Sequence, residues 1–247
     1  MVLKILEKSK RQFRGKVALI TGASQGIGLA IAQALASEGC NLVISGRNRS
    51  TLNKAGRELS RRTVSVLPVV CDVRDPFAVE QLLVAVKRRF RRLDILINNA
   101  GVAHPNLSVA KLPVESWMEV IDTNLTGMFL VTRAALPVMK RGGAIVNNLS
   151  IAAKRVFPGS SAYNASKHGA LGFTDTLREE LRDQGVRVIA LLPGATDTAI
   201  WKTLWPDAPR KKMMSPKTVA QAVVNALTLS AESTLEELTI RPSAGTL

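Results

Sequence analysis

The chain of 247 residues contains one tyrosine, Tyr163, in the stretch "SAYNASKHG", and a lysine, Lys167, stands four positions after it. On an α-helix, side chains four apart stack on one face. A cation held one turn from a phenol stabilises the phenolate and lowers a pKa that otherwise lies near ~10. The pair could therefore form a proton donor that works near neutral pH. The same spacing arises wherever a helix half-buries a tyrosine beside a solvated lysine, so the pair by itself leaves both readings open.

A second stretch points to an anion. "KVALITGASQGIGLAIAQAL" (16–35) reads as a strand, a glycine-rich turn and a helix in immediate succession. Gly22 permits a sharp turn, Gly26 lets backbone approach a pyrophosphate, and Gly28 allows close helix–strand packing. The helix N-terminus adds unpaired N–H groups and a positive dipole end. The spacing is Gly-x-x-x-Gly-x-Gly, which differs from the common Gly-x-Gly-x-x-Gly fingerprint.

Positioning such groups requires a scaffold, and the chain spells one out. Runs rich in Val, Ile and Leu recur at 17–20, 42–45, 64–70, 95–98, 144–150, 186–192 and 237–240. They are nearly continuous rather than alternating, as strands covered on both faces are. Gly39 sits where a helix C-terminal glycine belongs, and Asp75-Pro76 and Ser215-Pro216 each place a capping residue before a proline. Repeated strand–helix–strand units imply right-handed crossovers. The fold expected is α/β: a doubly wound, Rossmann-like parallel sheet of about seven strands with helices on both faces. A single domain over 15–247, preceded by a basic arm over 1–14, is the expected organisation.

Composition narrows the function classes. Apolar residues make up 46% and mean hydropathy is +0.12, enough for a sizeable core. No apolar run reaches the roughly 18 to 20 residues of a membrane span, and "MVLKILEKSKRQFRGK" lacks the features of a secretory signal. Cys40 and Cys71 lie far apart and read as reduced thiols of a cytoplasmic protein. The 34 Lys and Arg against 19 acids give a net charge of +15, yet the clusters are scattered and aromatics total only 4%. That pattern reads as a solvated basic surface, so neither nucleic acid nor a membrane is expected as a partner. His104 and His168 fit no ligand spacing, and no metal site is expected.

"TGASQGIG" (21–28), "NNAG" (98–101), Asn124, Ser150 thirteen positions before Tyr163, "YNASK" (163–167) and "PGATDT" (193–198) occur in this order. Together they resemble the short-chain dehydrogenase/reductase family, of the NADP-preferring carbonyl reductase type, over about residues 15–242. The resemblance implies hydride transfer between a nicotinamide and a small carbonyl or secondary alcohol. It makes Tyr163 the acid, Lys167 its cation and a ribose contact, and Ser150 the hydrogen-bond donor to the substrate oxygen. Asn124 would hold a water that links Lys167 to a proton relay. Gly22, Ser24, Gln25, Gly26, Ile27 and Gly28 would bind the cofactor through the glycine turn. Asp72 and Val73 would meet its adenine, Asn99, Ala100 and Gly101 would lie along it, and Pro193, Gly194, Thr196 and Thr198 would grip its carboxamide. A homodimer or homotetramer through the segments 114–136 and 160–183 is likewise implied.

One residue bears on which nicotinamide cofactor is used. An NAD site needs a carboxylate at the end of the second strand to accept hydrogen bonds from ribose hydroxyls. Gly46 stands there, followed by Arg47 and Asn48, and a guanidinium can grip a 2′-phosphate. NADP is therefore the cofactor expected. The segment 199–214, with two tryptophans and two methionines, reads either as an apolar lid or as core packing. The C-terminus lacks the Val-Asp-Gly-Gly ending of beta-ketoacyl carrier-protein reductases, leaving 3-oxoacyl thioester reduction as the alternative reading. A non-catalytic NADP-binding sensor is the reading from another class.

Overall fold

The computed structural model describes residues 11–230 and 232–245. The apolar runs become seven strands: β1 (Val17–Ile20), β2 (Asn41–Gly46), β3 (Val66–Val70), β4 (Leu93–Asn98), β5 (Met139–Asn148), β6 (Arg187–Pro193) and β7 (Glu237–Ile240). They form one parallel sheet in the order β3-β2-β1-β4-β5-β6-β7. Along the strands the period of two divides the side chains between the faces, interrupted in β4 by the register shift between Leu93 and Ile95. Ala18, Ile20, Leu42, Ile44, Ile95 and Ile97 join a cluster with helices α1 (Gly26–Ser37), α2 (Arg49–Leu59) and α8 (Pro216–Leu227). Val17, Leu19, Val43, Leu93, Leu96 and Ile145 join the other, with α3 (Pro76–Phe90), α5 (Gly127–Ala135) and α6 (Ser161–Leu181). Two further helices, α4 (Val114–Ile121) and α7 (Trp201–Leu204), complete the set used below.

Local chemistry matches the expected helix starts. Asp75 accepts from the Phe77 N–H ahead of α3, and Ser215 accepts from the Thr218 N–H ahead of α8. Three places differ from the sequence reading. Strand β5 begins at Met139, earlier than the apolar run, because Met139 pairs with Leu93 before a register shift. The long segment 114–136 is not one helix: a π-helical turn over Asp122–Thr126 separates α4 from α5. Residues 1–10 of the expected arm lie outside the described residues. At its other end Phe13, 7% exposed, packs into the first cluster, so the folded domain starts before residue 15. No helix among the described residues is long and apolar enough to cross a membrane.

The chain winds outward from β1 to β3 and returns to β4 on the other side of β1. In open parallel sheets the crevice at such a reversal, beyond the carboxyl ends of the strands, is where ligands bind. The glycine turn follows β1 there, and "NNAG" follows β4.

Candidate active site

A cleft of about 920 Å³ lies at this crevice. Every residue expected from the sequence to take part lines it except Gly28 and Asn124. Gly28 sits beneath the floor: a Cβ there would stand 2.3 Å from Asn99 Nδ2 and 2.7 Å from the Gly22 carbonyl oxygen. Gly22, at φ +63°, has the same constraint, since a Cβ would meet Ala100 Cα at 2.9 Å. The glycine turn and the β4 end are thus pressed backbone to backbone. Thr21 secures the contact, its Oγ1 accepting from the N–H groups of Asn99 and Ala100 at 2.9 and 3.0 Å. Gln25, which precedes α1, makes no side-chain cap, so the helix opens toward the cleft with first-turn amides that no side chain occupies.

At the other end of the cleft, α6 presents Tyr163 and Lys167 on one face. Lys167 Nζ lies 5.5 Å from the Tyr163 ring centroid and donates to the Asn148 carbonyl oxygen at 3.0 Å. Burial pushes the Lys167 ammonium down to about 8. The lowered phenol expected from the Lys167 spacing is not what results: burial raises the Tyr163 phenol, and a hydrogen bond with Ser150 opposes that rise. Ser150 follows β5 in extended backbone and also accepts from the Ala152 N–H at 3.1 Å, starting a short 3-10 turn over Ile151–Ala153. The strand-end serine therefore shapes its own turn and engages the tyrosine at once.

Asn124 is placed differently. It is fully buried in the π-helical turn, and its amide is already committed. Oδ1 accepts from the Val102 N–H at 2.8 Å, while Nδ2 donates to the Val102 carbonyl at 3.0 Å and to Ser166 Oγ at 3.0 Å. Its side chain fastens the loop after β4 to α6 at Ser166, three residues after Tyr163.

The far end of the cleft is charged. Arg47 Nη1 lies 3.6 Å from Glu119 Oε1 of α4, across the cleft wall. Asp72 is held by the Arg74 guanidinium, which keeps its carboxyl below the usual range. Asn48 caps α2 by accepting from the Thr51 N–H at 3.0 Å. Ile200, Trp201, Leu204 and Trp205 also line the cleft, and Trp201 Nε1 donates to the Thr196 carbonyl at 2.8 Å. Met214 instead packs in the core. The segment 199–214 is therefore split: its tryptophans face the cleft and its last methionine does not.

Among the lining residues that escaped the sequence reading are Asn148, Thr123 and Glu119. Asn147-Asn148 closes β5 as Asn98 closes β4 with Asn99 just beyond it, and the repeated Asn-Asn doublet was the signal available in the sequence. Asn148 Nδ2 donates to Asn99 Oδ1 at 2.8 Å, joining the glycine turn to Lys167 through one chain of hydrogen bonds.

Comparison with known proteins decides what this geometry belongs to. Residues 16–209 match the model of the short chain dehydrogenase family. The chain belongs to that family. It is 34% identical to an uncharacterized oxidoreductase of Staphylococcus haemolyticus, over 94% of this chain and 99% of the relative. It is 37% identical to another of Staphylococcus aureus, over 92% and 97%. Among solved structures it is similar to an alcohol dehydrogenase from Thermococcus sibiricus complexed with 5-hydroxy-NADP. That match has a TM-score of 0.88 at 34% identity, covering 94% of this chain and 98% of the other. An actinorhodin polyketide ketoreductase variant with NADPH matches with a TM-score of 0.84 at 33% identity, over 96% and 99%. As in any short-chain dehydrogenase chain, the fold does not name a substrate.

Proposed function

We propose that this chain is an NADP-dependent reductase that takes a small carbonyl compound to the alcohol, and the reverse. The observation that carries this reading is the convergence of Tyr163, Ser150 and Lys167 at one end of a cleft whose other end carries Arg47 and, at the end of β2, no acid. The cleft suits a dinucleotide phosphate: glycine turn and β4 are too close for a Cβ, and α1 opens on it without a side-chain cap. Gly22 to Ile27 would hold the pyrophosphate, Asp72 and Val73 the adenine, and Asn99 to Gly101 the length of the cofactor. Pro193, Gly194, Thr196 and Thr198 would hold the carboxamide. When bound, the nicotinamide supplies or accepts the hydride.

The chain's own residues handle the oxygen. Ser150 donates a hydrogen bond to the carbonyl oxygen, where negative charge develops. Tyr163 gives its Oη proton to that oxygen as the alkoxide forms. Lys167, still a cation at neutral pH, stabilises the phenolate left behind. Ile200, Trp201, Leu204 and Trp205 exclude water from the reacting carbon. These apolar walls favour a small ketone or aldehyde as substrate. The similarity to a polyketide ketoreductase supports a second reading, reduction of a 3-oxoacyl thioester. Presence of the tyrosine and lysine argues against a sensor without turnover. Met118 and Phe129, half exposed on α4 and α5, support self-association as a homodimer or homotetramer.

The test is a panel of ketones, aldehydes and 3-oxoacyl thioesters, followed by loss of reduced-nicotinamide absorbance. Turnover of the simple carbonyls over the thioesters is the expected result, and turnover of thioesters alone would select the second reading. Dinucleotide binding without turnover of any member would leave the sensor.

A further inference from the structure

The sequence offers no acid at the end of β2, but the fold brings one from the opposite wall. Glu119 lines the far end of the cleft together with Arg47 and Asp72. Its Oε1 lies 3.6 Å from Arg47 Nη1, with both side chains about half exposed, at 50% and 48%. The same carboxylate acts on Arg74, as Asp122 does, and Asp72 feels Arg47 in turn. Two guanidiniums (Arg47, Arg74) thus meet three carboxylates (Asp72, Glu119, Asp122), so the acids outnumber the cations by one. Arg47 considered alone makes this end of the cleft cationic, whereas the assembled group does not.

Resting on the function proposed above, we infer that Glu119 is a specificity-determining residue that holds the preference for NADPH over NADH below what Arg47 alone would give. Two effects act in the same direction. With no 2′-phosphate present, Glu119 occupies the guanidinium that would bind it. When a 2′-phosphate arrives, the carboxylate across the cleft repels it. A plain 2′-hydroxyl meets neither penalty, and a carboxylate in reach can accept its hydrogen bond, as acids at this subsite do in NAD-binding clefts. The pair contributes little to folding, because exposed ion pairs are screened by solvent. Removing the charge therefore changes the cleft and leaves the scaffold.

The experiment compares Kd values for NADP⁺ and NAD⁺, measured by calorimetry on the full chain, for the wild type, Glu119→Gln and Glu119→Asp. Coulomb repulsion across a solvated cleft is worth roughly three- to tenfold in affinity at these separations. Glu119→Gln should bind NADP⁺ tighter by that factor while NAD⁺ binding stays level or weakens, and Glu119→Asp should stay near wild type. The gain should shrink in molar salt, where the screening length falls to about 3 Å. Equal changes for both dinucleotides, or none for NADP⁺, would overturn the role of Glu119 and leave the proposed function standing. A wild-type chain that binds neither dinucleotide would overturn both.

Discussion

Lys167 Nζ donates to the Asn148 carbonyl oxygen at 3.0 Å and lies 5.5 Å from the centre of the Tyr163 ring. The lysine is therefore fixed from the strand side by β5 while its charge is directed along the helix face at the phenol. Tyr163→Phe removes the transferable proton and almost no volume. Turnover should fall by about 10²- to 10⁴-fold, the usual worth of general acid catalysis, with cofactor affinity near wild type. Lys167→Ala should lower both turnover and affinity. Steady-state kinetics beside a binding titration separates the two, and a Tyr163→Phe variant that kept most of its turnover would remove the acid from the proposal.

The burial of Lys167 carries a pH signature. Lys167 is only 4% exposed, and burial pushes its ammonium down to about 8 from the ordinary 10.5. The unfolded chain holds the proton up to its higher pKa, so between these values unfolding takes up a proton and stability rises with pH. Below about 8 both states are charged and the burial penalty is constant. Relative to Lys167→Met, the wild type should therefore gain about 2 kcal/mol between pH 8 and 9.5. Denaturant titrations of both proteins across that window check the sign. A gap that stayed level would mean that Lys167 is not buried as a strained cation.

Asn124 was a residue whose type was legible and whose contacts were not. Asparagine in a helical stretch signalled a special role, because it is a poor helix former. Nothing in the sequence said that the helix would break into a π-helical turn there, or that Val102 would claim both ends of its amide. Those are tertiary facts. Asn124→Ala would leave the part-buried N–H and C=O of Val102 and the buried Ser166 Oγ without that partner. Each such buried group costs about 1 to 3 kcal/mol, so a loss of roughly 3 kcal/mol is expected, visible as a lower Tm. Loss of turnover with unchanged Tm would instead point to a direct part in the chemistry.

The same division runs through the rest of the molecule. The strands, the glycine turn and the helix caps were readable because each depends on neighbours in sequence: a short continuous run of Val, Ile and Leu, a φ that only glycine tolerates easily, a proline after a capping aspartate. Glu119 was unreadable for the opposite reason. It lies 72 positions after Arg47, on a helix that reaches the cleft only through the order of the strands. The split of segment 199–214, with Trp201 and Trp205 to the cleft and Met214 to the core, likewise needed the fold.

An unpartnered apolar face supports the self-association proposed. Trp117, Met118 and Phe129 are 38%, 49% and 43% exposed, and Phe129 meets Phe173 of α6 edge-on at 6.2 Å. Side chains of this size left in contact with water on adjacent helices favour burial against a second copy. Light scattering at micromolar concentration should return a dimer or tetramer mass. Phe129→Arg should shift it toward the monomer, since the guanidinium would be buried unpaired at the interface. A wild-type monomer would count against the proposal.

The last expectation concerns the end of β2. Gly46 is in a conformation open to any residue, and a Cβ there would make ordinary contacts, 3.6 Å to Ser24 Oγ and 3.8 Å to Leu52 Cδ1. Room therefore exists for the carboxylate that NAD sites carry. Hydrogen bonds to a charged group are worth about 1.5 to 3 kcal/mol, so Arg47 should favour NADPH over NADH by roughly ten- to hundredfold. Glu119 should hold the wild type toward the lower end of that range. Arg47→Ala should erase most of the margin by weakening NADPH alone. Gly46→Asp adds a charge that repels the 2′-phosphate and accepts hydrogen bonds from the ribose hydroxyls, so it should reverse the preference. The ratio of kcat/KM for the two cofactors, measured on one carbonyl substrate, reads all three proteins on a single scale. Equal use of both cofactors by the wild type, unchanged in Arg47→Ala, would show that the guanidinium does not meet the 2′-phosphate.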